Sequence, residues 1–539
     1  MRKQSLFLLA LLAACGDGGR ESGSRHQDRV ELMEVEPASV TLQDQVAQSA
    51  SGTVHMAPPV VRGTQSMVPA EPEPGAEGLA QSVDAGVERM GRERYARLAE
   101  NGFVSARGQP LSTFAIDVDA ASYSNVRRFL AGGTLPPAEA VRIEELVNYF
   151  DYDYPDPTGP HPFSITTEVA AAPWNPRNRL VHVGLQGRRM STERLPPSNL
   201  VFLVDVSGSM QEPAKLPLVK ESLRMLTEQL RRQDRVSIVL YAGEAGLALP
   251  STSGAQRGTI LRAIEAMSAG GGTNGAGGIV AAYEMARHNY IPGGNNRVIL
   301  ATDGDFNLGI SSDEELVKLI EREREDGIAL TVLGFGTGNY QDARMEQLAD
   351  HGNGNYAYID DLREARKALV EEMGGTLHTL AKDVKVQVQF DPARVESYRL
   401  VGYENRALAA RDFRDDRKDA GDLGAGHSVT ALYEVVPRRG APGGGALATV
   451  RLRYKAPTGV QSRGFALTVA DRTPPRTSND FRFAAAVAEW GMLLRGSSYR
   501  GTASFDGVLA RARAARGADL QGHRAEFVNL VEASRRLIR

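Results

Sequence analysis

The sequence predicts an α/β chain: a doubly wound, mostly parallel Rossmann-like sheet inserted in a β-sandwich, with an α/β N-terminal region before it and a helical C-terminal tail after it. Three observations carry that expectation. Between about 198 and 380, short apolar runs alternate with amphipathic stretches at the spacing of strand-helix-strand units. After Lys382 the period changes to two, with Val384-Lys385-Val386-Gln387-Val388-Gln389-Phe390 alternating cleanly. From Asp480 the pattern is helical and Arg-rich, with Phe481, Phe483, Val487, Met492 and Leu493 as expected core contacts.

The chain begins with a segment built for export. Arg2 and Lys3 form a positive n-region, residues 6–12 an apolar run, and Leu12-Ala13-Ala14-Cys15 a small-residue cleavage site. The apolar run is too short to span a bilayer. Cys15 is the only cysteine, so no disulfide can form within the chain and packing must stabilise it. Residues 16–90 are rich in Gly, Ser, Pro, Glu and Gln; Pro69-Ala70-Glu71-Pro72-Glu73-Pro74-Gly75 is typical of a disordered tether.

Residues 91–160 form the N-terminal region. A strand is expected over 112–119, a helix over 121–131 closed by Gly132-Gly133, and a second helix opened by Pro136-Pro137. Asp117, Asp119 and Ser122 read as a strand tip followed by a helix N-cap. Asp151, Asp153 and Asp156 read as a linker turn, because Pro155 and Pro157 interrupt them. Strands over 163–169 and 179–185 are expected to join those of 381–475 in one sandwich, with 161–197 and 381–475 on either side of the inserted domain, 198–380.

Within that insertion, Val219, Leu223, Leu226 and Leu230 mark the first helix, and 236–241 the next strand. Helices are expected over 260–267, 279–285 and 345–349, a capping box at Ser312-Asp313-Glu314-Glu315, a strand over 328–335, an edge strand over 356–359 and a closing helix over 362–380. Further sandwich strands are expected over 429–436 and 448–454. Asp415, Asp416, Asp419 and Asp422, interleaved with Arg414, Arg417 and Lys418, read as a solvated mixed-charge loop. Residues 476–539 are the helical tail.

Composition is ordinary for a globular chain of 539 residues, 42% hydrophobic and 24% charged. A formal net charge of -3 gives no long-range attraction for nucleic acid.

The chemistry gathers at strand ends. Leu200-Val201-Phe202-Leu203-Val204 runs into Asp205, then Ser207 and Ser209, with Gly208 bending the turn. Gly270-Gly271-Gly272-Thr273-Asn274-Gly275 is a loop loose enough to bring the Thr273 hydroxyl in. Arg297-Val298-Ile299-Leu300-Ala301-Thr302 is a second buried strand ending in Asp303. Ligands of open α/β sheets bind outside the carboxyl ends of the strands. Oxygen-only donors suit a hard cation, Mg²⁺ in particular. These three stretches resemble the metal-ion-dependent adhesion site of the von Willebrand factor A (VWA) domain: Asp-x-Ser-x-Ser, then a threonine, then the aspartate of a Thr-Asp-Gly turn.

The resemblance implies that Ser207, Ser209 and Thr273 hold Mg²⁺ (or Mn²⁺ or Ca²⁺) through hydroxyls, with Asp205 and Asp303 direct or through water. It implies an open coordination position for a protein ligand offering an Asp or Glu. The residues before Cys15 resemble a bacterial lipobox, implying lipidation of Cys15 and a membrane lipoprotein. Gly16 stands where an aspartate would favour the inner membrane, so the outer membrane, facing the periplasm or the surface, is expected. Leu111-Ser112-Thr113-Phe114-Ala115-Ile116-Asp117-Val118-Asp119 and Ala425-Gly426-His427-Ser428-Val429-Thr430-Ala431-Leu432-Tyr433-Glu434 are similar to bacterial VWA lipoproteins with a von Willebrand-associated N-terminal region and a C-terminal domain of unknown function.

An enzyme is not expected. The residues around Ser207 lack the first glycine of a Gly-x-Ser-x-Gly elbow, and His351, His378 and His427 are isolated in sequence. The expected function is metal-dependent protein binding or adhesion in the cell envelope. The alternative is an envelope scaffold in which the metal serves only stability.

Overall fold

The structure, a computed structural model, describes residues 95, 99–116, 119–272, 275–304, 313–336, 342–372, 378–418, 420–441, 444–457 and 459–538. Cys15, the 16–90 tether, Asp117, Thr273, Ser312 and Asp419 lie outside the described residues. Among the described residues the strands form three sheets.

The central sheet runs Tyr356–Ile359, Ile328–Phe335, Asn295–Thr302, Ser198–Asp205, Arg235–Tyr241, Ala245–Ser253. Every neighbouring pair is parallel except the last, where Ala245–Ser253 turns back antiparallel at the edge. Ser198–Asp205 is buried along its whole length, which is why its sequence is apolar without alternation. Leu200, Phe202 and Val204 pack with Leu223, Leu226 and Ile260, while Val201 and Leu203 pack with Ile279 and Tyr283. The chain leaves this strand toward Arg235–Tyr241 and later returns on its other side as Asn295–Thr302. The reversal opens a crevice at the carboxyl ends of Ser198–Asp205 and Asn295–Thr302.

The sandwich takes strands from both sides of this insertion. One sheet orders Val104–Ser105, Val395–Val401, Ser428–Pro437, Asn175–Gly187 and Phe163–Ala172; the other orders Ala407–Leu408, Leu111–Ala115, Thr379–Phe390, Ala446–Lys455 and Ser462–Ala470. Phe114, Val181, Val183, Val386, Val388, Tyr433 and Val450 share the core between them.

Three local expectations are corrected. Leu111–Ala115, read as part of a separate N-terminal region, hydrogen-bonds antiparallel to Thr379–Phe390 inside the sandwich, with Lys385 opposite Ala115. The closing helix does not reach residue 380: Leu362–Arg366 passes into a single π turn, Lys367–Glu371, and the chain is already a strand at Thr379. Gly374-Gly375 in the sequence removes the propensity a longer helix would need. Ser122 caps nothing. The helix Ala121–Ala131 starts at Ala120 without a side-chain cap, and the Ser122 Oγ donates to the Ala140 carbonyl at 2.7 Å while accepting the Arg142 N–H at 2.9 Å.

The C-terminal helices Asn479–Arg495, Phe505–Ala514 and His523–Leu537 enclose a core with the N-terminal helices Ala121–Ala131 and Ile143–Asn148, centred on Trp490, Phe527, Phe150 and Tyr123. Arg127 ties this unit to the central domain. Its guanidinium, 3% exposed, reaches Asp360 and Glu364 beside the edge strand and Glu526 in the last helix. No helix among the described residues is long and apolar enough to cross a membrane.

One buried histidine is expected to make the stability of the sandwich depend on pH. His182 is 1% exposed, and its Nε2 hydrogen-bonds the Tyr154 hydroxyl at 2.9 Å, which also meets Thr430 Oγ1 at 2.7 Å. Burial pushes its imidazole down to about 4. The unfolded chain therefore takes up this proton before the native one does, so the contribution of His182 to stability falls as pH drops from about 6.5 toward 4. The stability gap between wild type and His182→Gln in urea unfolding is expected to narrow by about 2 kcal/mol from pH 7 to pH 5. An unchanged gap would mean that His182 takes up its proton over the same pH range in the native and the unfolded chain.

Candidate metal centre

The Val206 N–H still bonds the Tyr241 carbonyl at 2.9 Å, so strand geometry carries one residue beyond Asp205 before the chain turns. The Ser207 N–H then folds back onto Asp205 Oδ1 at 2.8 Å, and Gly208–Gln211 forms one turn of 3-10 helix. That turn sets the Ser207 and Ser209 hydroxyls 3.0 Å apart. Ser207 is buried, whereas Ser209 opens to solvent. The glycine loop is stitched to the same turn: the Gly208 N–H donates to the Gly271 carbonyl at 3.1 Å and the Gly270 N–H to the Val206 carbonyl at 2.8 Å. Gly271 takes φ +85°, a conformation that glycine adopts without strain. The residues just before Thr273 are thus in place beside the two serines.

Asp205 lies fully buried at the base. Its Oδ2 accepts the Tyr241 hydroxyl at 3.1 Å and the Thr302 hydroxyl at 3.5 Å. Burial holds its carboxyl above the usual range, the Ser207 N–H pulling against that shift and the nearby Asp303 charge adding to it. Asp303, 5% exposed, ends the adjacent strand.

The structure adds a residue that sequence reasoning missed. Lys215 Nζ sits 3.0 Å from Asp303 Oδ2 and 3.0 Å from the Ser209 carbonyl, joining the serine turn to the aspartate turn. Its stem packs over Gly336, where a Cβ would come within 2.5 Å of Lys215 Cε. A clue was present: Lys215 precedes the helix Leu216–Gln229, and a cation at a helix N-terminus opposes the helix dipole unless something else demands it.

Of the expected site, Asp205, Ser207, Ser209 and Asp303 are brought together, with the approach to Thr273 alongside. The donor set fits a hard divalent cation: hydroxyl oxygens, two carboxylates, and one ammonium that leaves the residues a net single negative charge. Among the described residues no group of three or more His, Cys, Asp or Glu gathers as a metal site. The centre is built from hydroxyls as much as from acids.

Comparison with known proteins agrees with this anatomy. Residues 199–372 match the von Willebrand factor type A domain family, residues 89–182 the family described as von Willebrand factor, and residues 375–537 the family described as "Uncharacterized protein YfbK, C-terminal". The "Uncharacterized protein YfbK" of Escherichia coli (strain K12) is 44% identical over 472 residues, covering 83% of this chain and 82% of that protein. Inter-alpha-trypsin inhibitor heavy chain H3 of Homo sapiens is 27% identical over 229 residues, 40% of this chain and 25% of that one. Among solved structures, a von Willebrand factor type A protein from Catenulispora acidiphila is 17% identical, with a TM-score of 0.39 over 69% of this chain and 89% of that chain. With these three families matched along the chain and a relative of such identity and coverage, the chain belongs to the YfbK family of von Willebrand factor type A domain proteins.

Proposed function

We propose that this is a membrane-tethered envelope protein that binds a protein partner through a divalent cation, Mg²⁺ by preference. Ser207, Ser209 and Thr273 hold the cation through hydroxyls, with Asp205 and Asp303 direct or through water. The carrying observation is the pair of serine hydroxyls 3.0 Å apart at strand ends that also present two buried carboxylates. The bound cation supplies a Lewis-acidic position for an outside carboxylate. Counting Asp205 and Asp303 against Lys215 and a divalent ion leaves a single positive charge, which favours an Asp or Glu from the partner over a neutral group. Lipidated Cys15 and the 16–90 tether hold this face away from the bilayer, the outer membrane being the expected one.

The test is a crosslinked pull-down from envelopes with full-length protein in Mg²⁺ and in EDTA, with Asp205→Ala as control. Partner capture in Mg²⁺ alone supports the reading. Equal capture under all three conditions overturns it and leaves the scaffold reading. Lys215 gives that second reading its support, because an ammonium already neutralises Asp303 without any metal.

The same contact gives a graded prediction. Lys215→Met removes a positive charge bonded to Asp303 and to the serine turn, and with it the repulsion that a bound cation would meet, so divalent affinity is expected to tighten by roughly tenfold or more. Titration of Mn²⁺ by electron paramagnetic resonance reads this directly. Weaker binding in the variant would make Lys215 a support for Asp303 and not a competitor.

A further inference from the structure

At the other end of the central sheet, between its amino edge and the sandwich, lies a cavity of about 380 Å³ lined by Arg297, Asn353, Asn355, Asn405, Arg406 and Asp422, among others. We propose that this cavity binds a small organic anion, whose oxyanion group pairs with Arg297.

Elsewhere in the molecule, buried guanidinium groups sit against carboxylates. Arg127 is paired with Asp360, Glu364 and Glu526, Arg142 with Glu145 and Glu346, and Arg399 with Glu434. Arg406, in the same cavity wall, is held by Asp119, Glu346 and Asp350. Arg297 is as buried as these, at 3% exposed, yet among the described residues it forms no ion pair. Its Nη1 donates to the Thr331 hydroxyl at 2.7 Å, and its Nε lies buried without a partner. Asp422 attracts it only from beyond ion-pairing distance, and burial lowers its guanidinium to about 10. A buried charge without a partner is costly, and the molecule avoids that cost at the other three buried arginines.

The cavity supplies the room for the missing anion. Its volume is in the range of metabolite pockets and well beyond a bare ion. A guanidinium offers planar, paired donors that match a carboxylate or a phosphate. The wall formed by residues 353–355 is stiff. Asn353 sits at φ +48°, and at Gly354 a Cβ would come within 1.7 Å of the Leu330 carbonyl, so the backbone there lies directly on the strand. The backbone that carries Asn353 and Asn355 is therefore fixed in the cavity wall before any ligand arrives.

The test uses thermal unfolding of the full-length chain in EDTA, at fixed ionic strength balanced with KCl, titrated with inorganic phosphate and separately with succinate. A saturable rise in Tm at millimolar concentration is expected with at least one anion, and its identity separates a phosphate ester from an organic acid. Arg297→Met is expected to fold, since an apolar replacement of similar length removes the buried charge, and to lose at least tenfold in anion affinity. Its response to Mg²⁺ is expected to match wild type, because the metal centre is at the far end of the sheet. Should Arg297→Met fail to fold, Arg297→Lys, which keeps the charge without the planar fork, is expected to weaken the response. No rise in wild type with either anion overturns the proposal, as does an equal rise in the Arg297 variants.

Discussion

Arg127→Met is expected to destabilise the chain by about 3–5 kcal/mol, because it leaves a cluster of buried carboxylates without their common cation. Asp360, Glu364 and Glu526 converge on this one guanidinium, with Glu364 at 2.7 Å and Glu526 at 3.2 Å, and the Tyr149 hydroxyl bridges Arg127 and Glu364. Burial already pushes the Asp360 carboxyl up to about 6 with the arginine present. Without it the acids are relieved only by taking up protons. A carboxyl raised in the native state binds a proton that the unfolded chain does not, so the damage is expected to shrink as pH falls from 7 toward 5. Urea unfolding at both pH values measures this. Limited proteolysis is expected to show the C-terminal helices loosening first, since Glu526 is anchored through this contact. A variant as stable as wild type at pH 7 would show that the acids are protonated already and that Arg127 is no keystone.

Asp205→Asn is expected to abolish stabilisation by divalent cations while leaving the metal-free protein as stable as wild type or more so. In EDTA the wild-type chain holds two carboxylates at adjoining strand ends with one ammonium, paired to Asp303, and burial disfavours the charge on Asp205. The amide removes that charge and keeps an acceptor for the Ser207 N–H, while its NH2 takes the place of Oδ2 and can donate to the Tyr241 hydroxyl, which turns from donor to acceptor. In Mg²⁺ at a hundred times the dissociation constant, wild type is expected to gain about 2.7 kcal/mol and the variant close to nothing. Asp205→Ala is a blunter tool, because it also strands those buried donors. Thermal unfolding across a Mg²⁺ titration reads both effects. A wild type indifferent to Mg²⁺, Mn²⁺ and Ca²⁺ would end the metal reading of this site.

What the sequence made legible followed from local rules. Asp205 and Asp303 stand at the ends of apolar runs, and a strand that is buried on both faces announces its own end by the first charge. The serines are two and four residues beyond Asp205, so one turn is enough to join them. Lys215 escaped because its partner, Asp303, is 88 residues away and only the fold brings them together. The strand Leu111–Ala115 was visible as a strand, but its sheet was not, since it pairs with a segment about 270 residues later. Arg297 reads in sequence as an ordinary strand-opening charge. Its burial depends on the sandwich packing under the sheet, which no local pattern encodes. The closing helix was overextended because its apolar spacing continues past the point where the chain turns into the next sheet.

The central domain is joined to the sandwich by two covalent connections, both at the end of the sheet remote from Asp205. One continues into Asn175–Gly187, the other into Thr379–Phe390, interior strands of opposite sheets. Tension applied at the serine turn would therefore be shared by two lines of chain, each anchored within a different half of the sandwich and flanked there by strands on both sides. A load that would peel an edge strand away is instead resisted by rows of cross-strand hydrogen bonds acting together.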